Sequence, residues 1–165
     1  MSEKKYILNQ EQVERKIQRL AYEIAERNSG QKELFFIAIK DNGVTLAHKI
    51  SQALKAITDF TLHVLELSLD KRNPKEISIS SMPPRENAVI ILVDDVASSG
   101  KTMLYALKPL LEIHPKKIQT LVLVERTHKA FPVQVDYVGL SVATTLQEHI
   151  YVEVIEEEIV GAYME

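Results

Sequence analysis

The sequence lacks several features that define whole classes of protein. Its 165 residues contain no cysteine, which excludes disulfide-stabilised scaffolds and thiolate metal sites. No apolar run approaches the roughly 20 residues that span a bilayer. The charged amino terminus, Met1 to Tyr6, does not resemble a signal peptide. We therefore expect a protein of a reducing compartment, by default the cytoplasm, with no membrane partner.

The sequence also lacks an excess of positive charge. Lys and Arg total 20 against 23 Asp and Glu, which gives a net charge of -3 with neutral histidines. Such a chain has no global field that attracts nucleic acid, so an RNA site would have to be local. The available basic clusters, which ordinary solvated faces explain equally well, are Lys4-Lys5, Arg15-Lys16 with Arg19, and Lys116-Lys117. The segment 150–165 carries glutamates without Lys or Arg, and we interpret it as an acidic tail that repels phosphate backbones.

Apolar and turn residues alternate in a way that is typical of an α/β protein. Asn9 and Gln12 resemble a capping pair, and apolar residues recur at helical spacing from there until Asn28-Ser29-Gly30. Continuous apolar runs then indicate strands that are buried on both faces, as in a parallel sheet. These runs are Leu34 to Ile39, Val89 to Val93 and Ile118 to Val124.

Weaker patterns complete the expected order of elements. The sequence predicts strands at Leu62 to Leu67 and Tyr137 to Leu140, a helix after Gly43, and another helix after Thr102 in which Pro109 makes a kink or starts a separate last turn. Between Ser68 and Asn87 the periodicity disappears, which predicts a long mobile loop with a short hairpin near Ile77 and Ile79. The whole chain, 1–165, is expected to form one α/β domain.

Two adjacent carboxylates, Asp94 and Asp95, follow the most apolar of these runs. Open α/β sheets bind ligands at the carboxyl ends of their strands. The next residues are small or polar, so their backbone N–H groups would crowd around a phosphate. Carboxylates accept hydrogen bonds from sugar hydroxyls or hold Mg²⁺, so the expected ligand is a sugar phosphate. The candidate phosphate-binding residues are Val96, Ala97, Ser98, Ser99, Gly100, Lys101 and Thr102.

Two other interpretations of this segment stay open. Gly100-Lys101-Thr102 ends like a nucleotide-binding P-loop, but Asp95 occupies the position where that motif requires its first Gly. Asp94-Asp95 also fits a capped turn without a ligand, because Asp and Ser both favour helix starts. Histidine adds no metal site, since His48, His114 and His149 have no ligand spacing and His128 is more readily a loop residue than an acid–base group.

The stretch Ile90 to Thr102 resembles the signature of type I phosphoribosyltransferases: apolar strand residues, two acidic residues, and a small loop that ends in Gly-x-Thr. The resemblance implies a mostly parallel sheet flanked by helices, with a small hood and a mobile loop. It also implies binding of 5-phosphoribosyl 1-pyrophosphate with Mg²⁺. Asp94 and Asp95 would hold the ribose hydroxyls and Ala97 to Thr102 the 5′-phosphate. Any Mg²⁺ would be bound through the substrate, with Asp94 and Asp95 as the protein groups nearest to it.

The likeness extends over nearly the whole chain for one type, the pyrimidine-operon regulators (PyrR) that are also uracil phosphoribosyltransferases. It is carried by Ile7-Leu8, Ala25 to Asn28, Ile39-Lys40 with Gly43, Val124 to Pro132, and Asp136 to Gly139. It implies a homodimer or larger homo-oligomer. It also implies a pyrophosphate loop of Lys40, Asp41, Asn42 and Gly43, mobile-loop cations at Lys71 and Arg72, and a base-binding segment of Val124, Glu125 and Arg126.

The expected pyrophosphate loop departs from the family pattern at one position. Arg usually precedes the Gly, whereas here Asn42 precedes it, beside Asp41. Losing a guanidinium removes charge-assisted hydrogen bonds worth about 1.5–3 kcal/mol each. Two functions therefore stay open. The chain is an active phosphoribosyltransferase for uracil or another base, or it is a ribose-phosphate sensor with little catalysis that regulates a partner or pyrimidine-gene RNA.

Overall fold

The computed structural model describes residues 3–165. The strands are β1 Lys5–Asn9, β2 Glu33–Ile39, β3 Thr61–Leu69, β4 Ile77–Ile79, β5 Val89–Ala97, β6 Lys117–Arg126, β7 Tyr137–Val142, β8 Ile150–Ile155 and β9 Glu158–Met164. The helices are α1 Gln10–Arg27, α2 Asn42–Lys55 and α3 Lys101–Ala106, and a 3₁₀ helix, Lys108–Glu112, follows α3.

A six-stranded sheet of order β4-β3-β2-β5-β6-β7 forms the centre of the molecule. All neighbouring strands in it run parallel except β3 and β4. The apolar runs form β2, β5 and β6, three of the four inner strands, where both faces are covered and apolar residues need not alternate with polar ones. The predicted α/β fold with a mostly parallel sheet is confirmed.

The helices cover the two faces of this sheet unequally. Both α1 and α2 pack on one face, in a core that includes Leu20, Phe36 and Ile50. The shorter α3 and the 3₁₀ helix cover the other face, in a core that includes Ile37 and Met103. The predicted cap of α1 is present. The side chains and backbone N–H groups of residues 9 and 12 bond to each other reciprocally, at 2.8 and 2.9 Å.

Two elements differ in extent from the sequence prediction. The strand expected to end at Val93 continues through the acidic pair to Ala97, because Val96 and Ala97 pair in parallel with Val124 and Glu125 of β6. The helix after Thr102 ends early, and the segment at Pro109 forms the separate 3₁₀ turn that was one of the two alternatives. The long loop does contain the predicted hairpin, in which β4 pairs antiparallel with the end of β3.

The interpretation of segment 150–165 as an acidic tail was wrong. This segment forms the hairpin β8–β9, and β9 also pairs with β1, so both ends of the chain build one three-stranded sheet. Apolar residues such as Val152 and Ala162 lie buried against the main core, whereas Glu156 and Glu157 form the turn between the strands with positive φ angles. We call this sheet the hood. In the described part of the chain, no helix is long and apolar enough to cross a membrane.

Candidate functional site

A cavity of about 290 Å³ opens where β5 ends, beneath the hood. It is lined by residues 94–100, Thr102 and Met103, and by Ile150, Tyr151 and Val152 of β8. Asn42 and Lys71 close one side. The structure therefore brings the acidic pair, most of the candidate phosphate loop, one residue of the predicted pyrophosphate loop and one of the predicted mobile-loop cations to one place. Lys101 does not line this cavity.

A second cavity adjoins the first and shares three lining residues with it, Asn42, Lys71 and Asp95. Its other walls include Lys40 and Asp41. The loop before α2 and the loop after β3 thus meet around Asp95, and pyrophosphate binding by these loops stays a prediction. The two loop cations differ, because Lys71 lines both cavities and Arg72 lines neither.

Asp94 is almost completely buried, with 1% of its surface exposed. Its Oδ1 accepts the Asp95 N–H at 2.8 Å and lies 3.6 Å from the Lys71 ammonium. Its Oδ2 is buried without a hydrogen-bond partner among residues 3–165. Burial raises the pKa of Asp94 well above its usual value, the charge of Asp95 raises it further, and Lys71 lowers it. A buried, unpartnered carboxylate oxygen in a cavity wall fits a hydroxyl donor or a cation.

Gly43 lets the start of α2 lie directly against the acidic pair. A Cβ atom at this position would lie 3.0 Å from the Val93 carbonyl oxygen and 3.2 Å from the Asp94 Cα. These are backbone atoms, so a larger residue would displace the helix. The Lys40–Asp41 peptide just before it is cis. The close approach carries Asn42 to the cavity.

Asn42 connects three parts of the site through a single amide nitrogen. Its Nδ2 donates to Asp95 Oδ2 at 3.2 Å and to the Val152 carbonyl oxygen at 3.0 Å. One side chain of the predicted pyrophosphate loop therefore holds both the acidic pair and the hood. The sequence placed Asn42 in the site, but it gave no sign of the contact with Val152, which lies 110 positions away.

The candidate phosphate loop turns sharply at Gly100, whose φ of +84° lies in the left-handed region that favours glycine. The Lys101 N–H donates to Ser99 Oγ at 3.2 Å, which holds the loop in a tight turn. A Cβ on Gly100 would lie 3.3 Å from the Phe131 carbonyl oxygen. Residues after β6 therefore pack behind this loop, a contact that the sequence reasoning missed.

The predicted base-binding segment lies beside the first cavity without lining it. Glu125 accepts hydrogen bonds from Lys129 Nζ at 2.6 Å and Ser141 Oγ at 2.7 Å. Arg126 Nη2 donates to the Glu148 carbonyl oxygen at 2.8 Å, and its buried Nε has no partner among the described residues. Val124 is buried in the sheet. Base binding by Val124, Glu125 and Arg126 stays a prediction.

The sequence reasoning also missed the hood residues Ile150, Tyr151 and Val152. A signal was present, because Ile150, Val152 and Val154 alternate with polar residues as a half-buried strand requires. The glutamates in the same segment led to its interpretation as an acidic tail.

The protein offers few metal ligands at this site. Within residues 3–165, no group of three or more His, Asp or Glu side chains is arranged to hold a metal ion. Asp94 and Asp95 supply carboxylate oxygens of the kind that Mg²⁺ prefers, and one of these oxygens, Asp94 Oδ2, has no hydrogen-bond partner among the described residues. The residues present fit a cation that takes its remaining ligands from a bound phosphorylated molecule.

Comparison with known proteins identifies the family. A model described as "Phosphoribosyl transferase domain" matches residues 4–155. The bifunctional protein PyrR of Alkaliphilus metalliredigens is 32% identical over 166 residues, covering 94% of this chain and 91% of that protein. The bifunctional protein PyrR of Enterococcus faecalis is 33% identical over 165 residues, covering 94% and 92%.

Solved structures show the same fold at lower identity. The hypoxanthine phosphoribosyltransferase of Trypanosoma cruzi superposes with a TM-score of 0.80 at 14% identity, covering 97% of this chain and 95% of that one. A hypoxanthine-guanine phosphoribosyltransferase from Bacillus anthracis gives a TM-score of 0.78 at 16% identity, covering 99% and 98%. The resemblance inferred from Ile90 to Thr102 is thereby confirmed, and the chain belongs to the type I phosphoribosyltransferase family.

Proposed function

We propose that this protein transfers the ribosyl 5-phosphate group of 5-phosphoribosyl 1-pyrophosphate to a nucleobase, and that the base is uracil. In this reaction the bond from C1′ to the pyrophosphate oxygen breaks and a bond from C1′ to a ring nitrogen of the base forms. That nitrogen loses its proton, and the products are a nucleoside monophosphate and pyrophosphate. Uracil is the base implied by the likeness to pyrimidine-operon regulators.

One observation carries the proposal: the acidic pair, the loop that turns at Gly100, and two lysines line two adjoining cavities. The loop would take the 5′-phosphate. Lys40 and Lys71 flank the second cavity, where the pyrophosphate would lie. The hood lines the first cavity through Ile150, Tyr151 and Val152, and the base would lie beside Tyr151.

The work of the protein in this reaction is positioning and charge stabilisation. Positive charge develops on the ribose ring as pyrophosphate leaves, so no side chain needs to attack the substrate. Asp94 and Asp95 would hold the ribose hydroxyls and face the developing positive charge, while the two lysines would stabilise the leaving phosphates. The hood would exclude water from C1′.

Mg²⁺ is the cofactor that we propose for this site. It would neutralise charge on the pyrophosphate oxygens. Asp94 and Asp95 are the residues that would contact it or the ribose hydroxyls it binds. Burial raises the pKa of Asp94, and a cation bound beside it would favour the carboxylate form.

A second candidate function, a ribose-phosphate sensor with little catalysis, is favoured by Asn42. In place of a cation the loop carries an amide that is already engaged with Asp95 and the hood. The RNA version of this candidate has less support. Two arginines of the basic cluster on α1 are engaged in ion pairs with neighbouring carboxylates, Arg15 with Glu11 and Arg19 with Glu23, both at 2.6 Å.

Calorimetric titration followed by turnover separates the two candidates. The protein is titrated with 5-phosphoribosyl 1-pyrophosphate and Mg²⁺ and, separately, with ribose 5-phosphate. It is then assayed with uracil, guanine and hypoxanthine. An enzyme binds the pyrophosphorylated sugar more tightly and forms uridine monophosphate. Equal binding of both sugars without turnover identifies a sensor, and nucleotide formation from a purine alone overturns the assignment of uracil.

A matched pair of variants ties the activity to the site. Asp95→Asn removes a charge from the cavity wall, whereas Asp59→Asn removes the same charge from an exposed position outside both cavities. We expect turnover to fall at least tenfold in the first variant and to be unchanged in the second. Light scattering on the same samples tests the homodimer or larger homo-oligomer that the resemblance implies.

A further inference from the structure

The loop of residues 127–132, which follows β6, packs against the candidate phosphate loop, and we call it the back loop. Two of its backbone N–H groups, those of Ala130 and Phe131, donate to the same carbonyl oxygen, that of Ser99, at 3.1 and 3.0 Å. The Ser99 carbonyl is therefore held facing the back loop.

These two hydrogen bonds to the Ser99 carbonyl oxygen also fix the direction of the Gly100 N–H group. Among the described residues only the Lys40–Asp41 peptide is cis, so the Ser99–Gly100 peptide is trans. In a trans peptide the C=O and N–H bonds point in opposite directions. Because the Ser99 carbonyl points to the back loop, the Gly100 N–H points away from that loop, and Gly100 itself lines the cavity.

One side chain ties the back loop to the sheet. Lys129 Nζ lies 2.6 Å from Glu125 Oε2 at the end of β6, and only 12% and 17% of the two side chains is exposed. A pair so well shielded from water is screened less than a surface ion pair. The other oxygen of Glu125 accepts Ser141 Oγ at 2.7 Å, which holds the carboxylate in place.

The stem of Lys129 also reaches the turn itself. Its Cδ would lie 3.5 Å from a Cβ atom on Gly100, in ordinary van der Waals contact. The stem of Lys129 therefore lies on the side of Gly100 where a larger residue would place its Cβ, while its ammonium group is held by Glu125 of β6.

We propose that Lys129 is a positioning residue for the 5′-phosphate, acting through the Ser99–Gly100 peptide. Anchored by Glu125, it keeps the back loop close enough for both N–H groups to hold the Ser99 carbonyl. The Gly100 N–H is then presented to a phosphate oxygen. If the peptide turned over, a donor would be lost and a carbonyl dipole would face the phosphate instead. The inference rests on the proposed function, since it needs a 5′-phosphate in this loop.

Glycine is rare enough in this chain to make the Gly100 amide directly observable. There are 5 glycines, and only Gly30 and Gly100 follow a serine. Cell-free protein labelled with ¹³C-carbonyl serine and ¹⁵N-glycine gives two selected amide signals. Gly30 lies just after α1 and lines neither cavity of the site, so its signal is an internal reference. We expect titration with ribose 5-phosphate to move the Gly100 signal and leave the Gly30 signal in place.

Variants at Lys129 test the positioning role. Lys129→Met keeps much of the stem and removes the charge, and we expect it to weaken ribose 5-phosphate binding about 10- to 100-fold, the range for one hydrogen bond to a charged group. The Gly100 signal should then move little. Lys129→Arg, which can still pair with Glu125, should restore both. Lys108→Met changes an exposed lysine of the 3₁₀ helix and should have no effect.

The outcomes distinguish failure of this inference from failure of the proposed function. If ribose 5-phosphate leaves the Gly100 signal of the unmodified protein unmoved, the phosphate site itself is wrong. If it moves that signal equally in the unmodified protein and in Lys129→Met, with equal affinity, the positioning role is overturned. If Lys129→Met loses the Gly30 signal of the folded protein, the variant Glu125→Gln is used in its place, because it also weakens the pair between Lys129 and Glu125. The predicted role of Glu125 in base binding does not affect this test, since ribose 5-phosphate carries no base.

Discussion

Replacing Asn42 by Arg tests whether an added cation strengthens binding of the pyrophosphate group. The Asn42 amide donates to Asp95 at 3.2 Å and to the Val152 carbonyl oxygen at 3.0 Å, and it lies on the wall shared by the two cavities. Asn42→Arg places a guanidinium at the cavity where we propose that pyrophosphate binds, which Lys40 and Lys71 already line. The same change removes the link between the loop and the hood.

The two effects have opposite signs and separate readouts. One charge-assisted hydrogen bond to pyrophosphate is worth about 1.5–3 kcal/mol, so 5-phosphoribosyl 1-pyrophosphate should bind about 10- to 100-fold more tightly. Loss of the two amide hydrogen bonds should cost about 1–3 kcal/mol of unfolding free energy, discounted for partial exposure. In a chain of this size that lowers Tm by about 2–12 °C.

Calorimetry and thermal unfolding measure these effects on one preparation. Affinity for ribose 5-phosphate serves as an internal control, because it has no pyrophosphate and should be nearly unchanged. Asn42→Ala is the matched variant. It also loses the link to the hood but gains no cation, so its Tm should fall while its affinity for the pyrophosphorylated sugar does not rise.

The reasoning is refuted if Asn42→Arg remains folded and binds 5-phosphoribosyl 1-pyrophosphate no more tightly than Asn42→Ala does. A gain of equal size for ribose 5-phosphate would also contradict it, since the added cation would then act on the 5′-phosphate or on the site as a whole.

Three further predictions follow from the described contacts. Asp94 has a raised pKa in the folded state, so the native state gains stability as the pH falls through that pKa towards the usual value of about 3.8. Asp94→Asn should therefore flatten the dependence of Tm on pH. An unchanged profile would refute the argument that burial raises this pKa. Ligand binding should show the reverse trend, weakening as Asp94 takes up its proton. Gly43→Ala should cost about 1–3 kcal/mol in urea unfolding because its Cβ meets the backbone of β5 at 3.0 Å, whereas Gln52→Ala, an exposed change on the same helix, should cost little. Asn28→Ala should cost about 1–3 kcal/mol, since the buried amide donates to the Ile24 carbonyl oxygen at 2.9 Å and to a buried tyrosine hydroxyl at 3.2 Å; a smaller loss would mean that water replaces these bonds.

The central sheet and the acidic pair were accessible from the sequence because their signals are local. Buried parallel strands are apolar on both faces, so Leu34 to Ile39 and Val89 to Val93 could be located without knowing their neighbours. The cap of α1 was equally local, since Asn9 and Gln12 bond to each other. The candidate phosphate loop could be predicted from the sequence because small residues and Gly100 directly follow two carboxylates.

The completed site depended on contacts between distant parts of the chain. Strands β1, β8 and β9 come from the two ends of the sequence, and no local pattern specifies that they pair over the cavity. Lys71 rather than Arg72 lines the cavity, and this depends on the path of the loop after β3, whose sequence has no periodicity.

The sequence by itself determined the fold class and the family and located the candidate site residues, because these depend on side-chain type and short spacing. Only the tertiary structure decided what those groups touch. It gave Asn42 its bonds to Asp95 and the hood, and it placed Lys129 behind Gly100. A contact across the fold depends on where two backbones meet, and that is fixed by packing and strand register rather than by either residue alone.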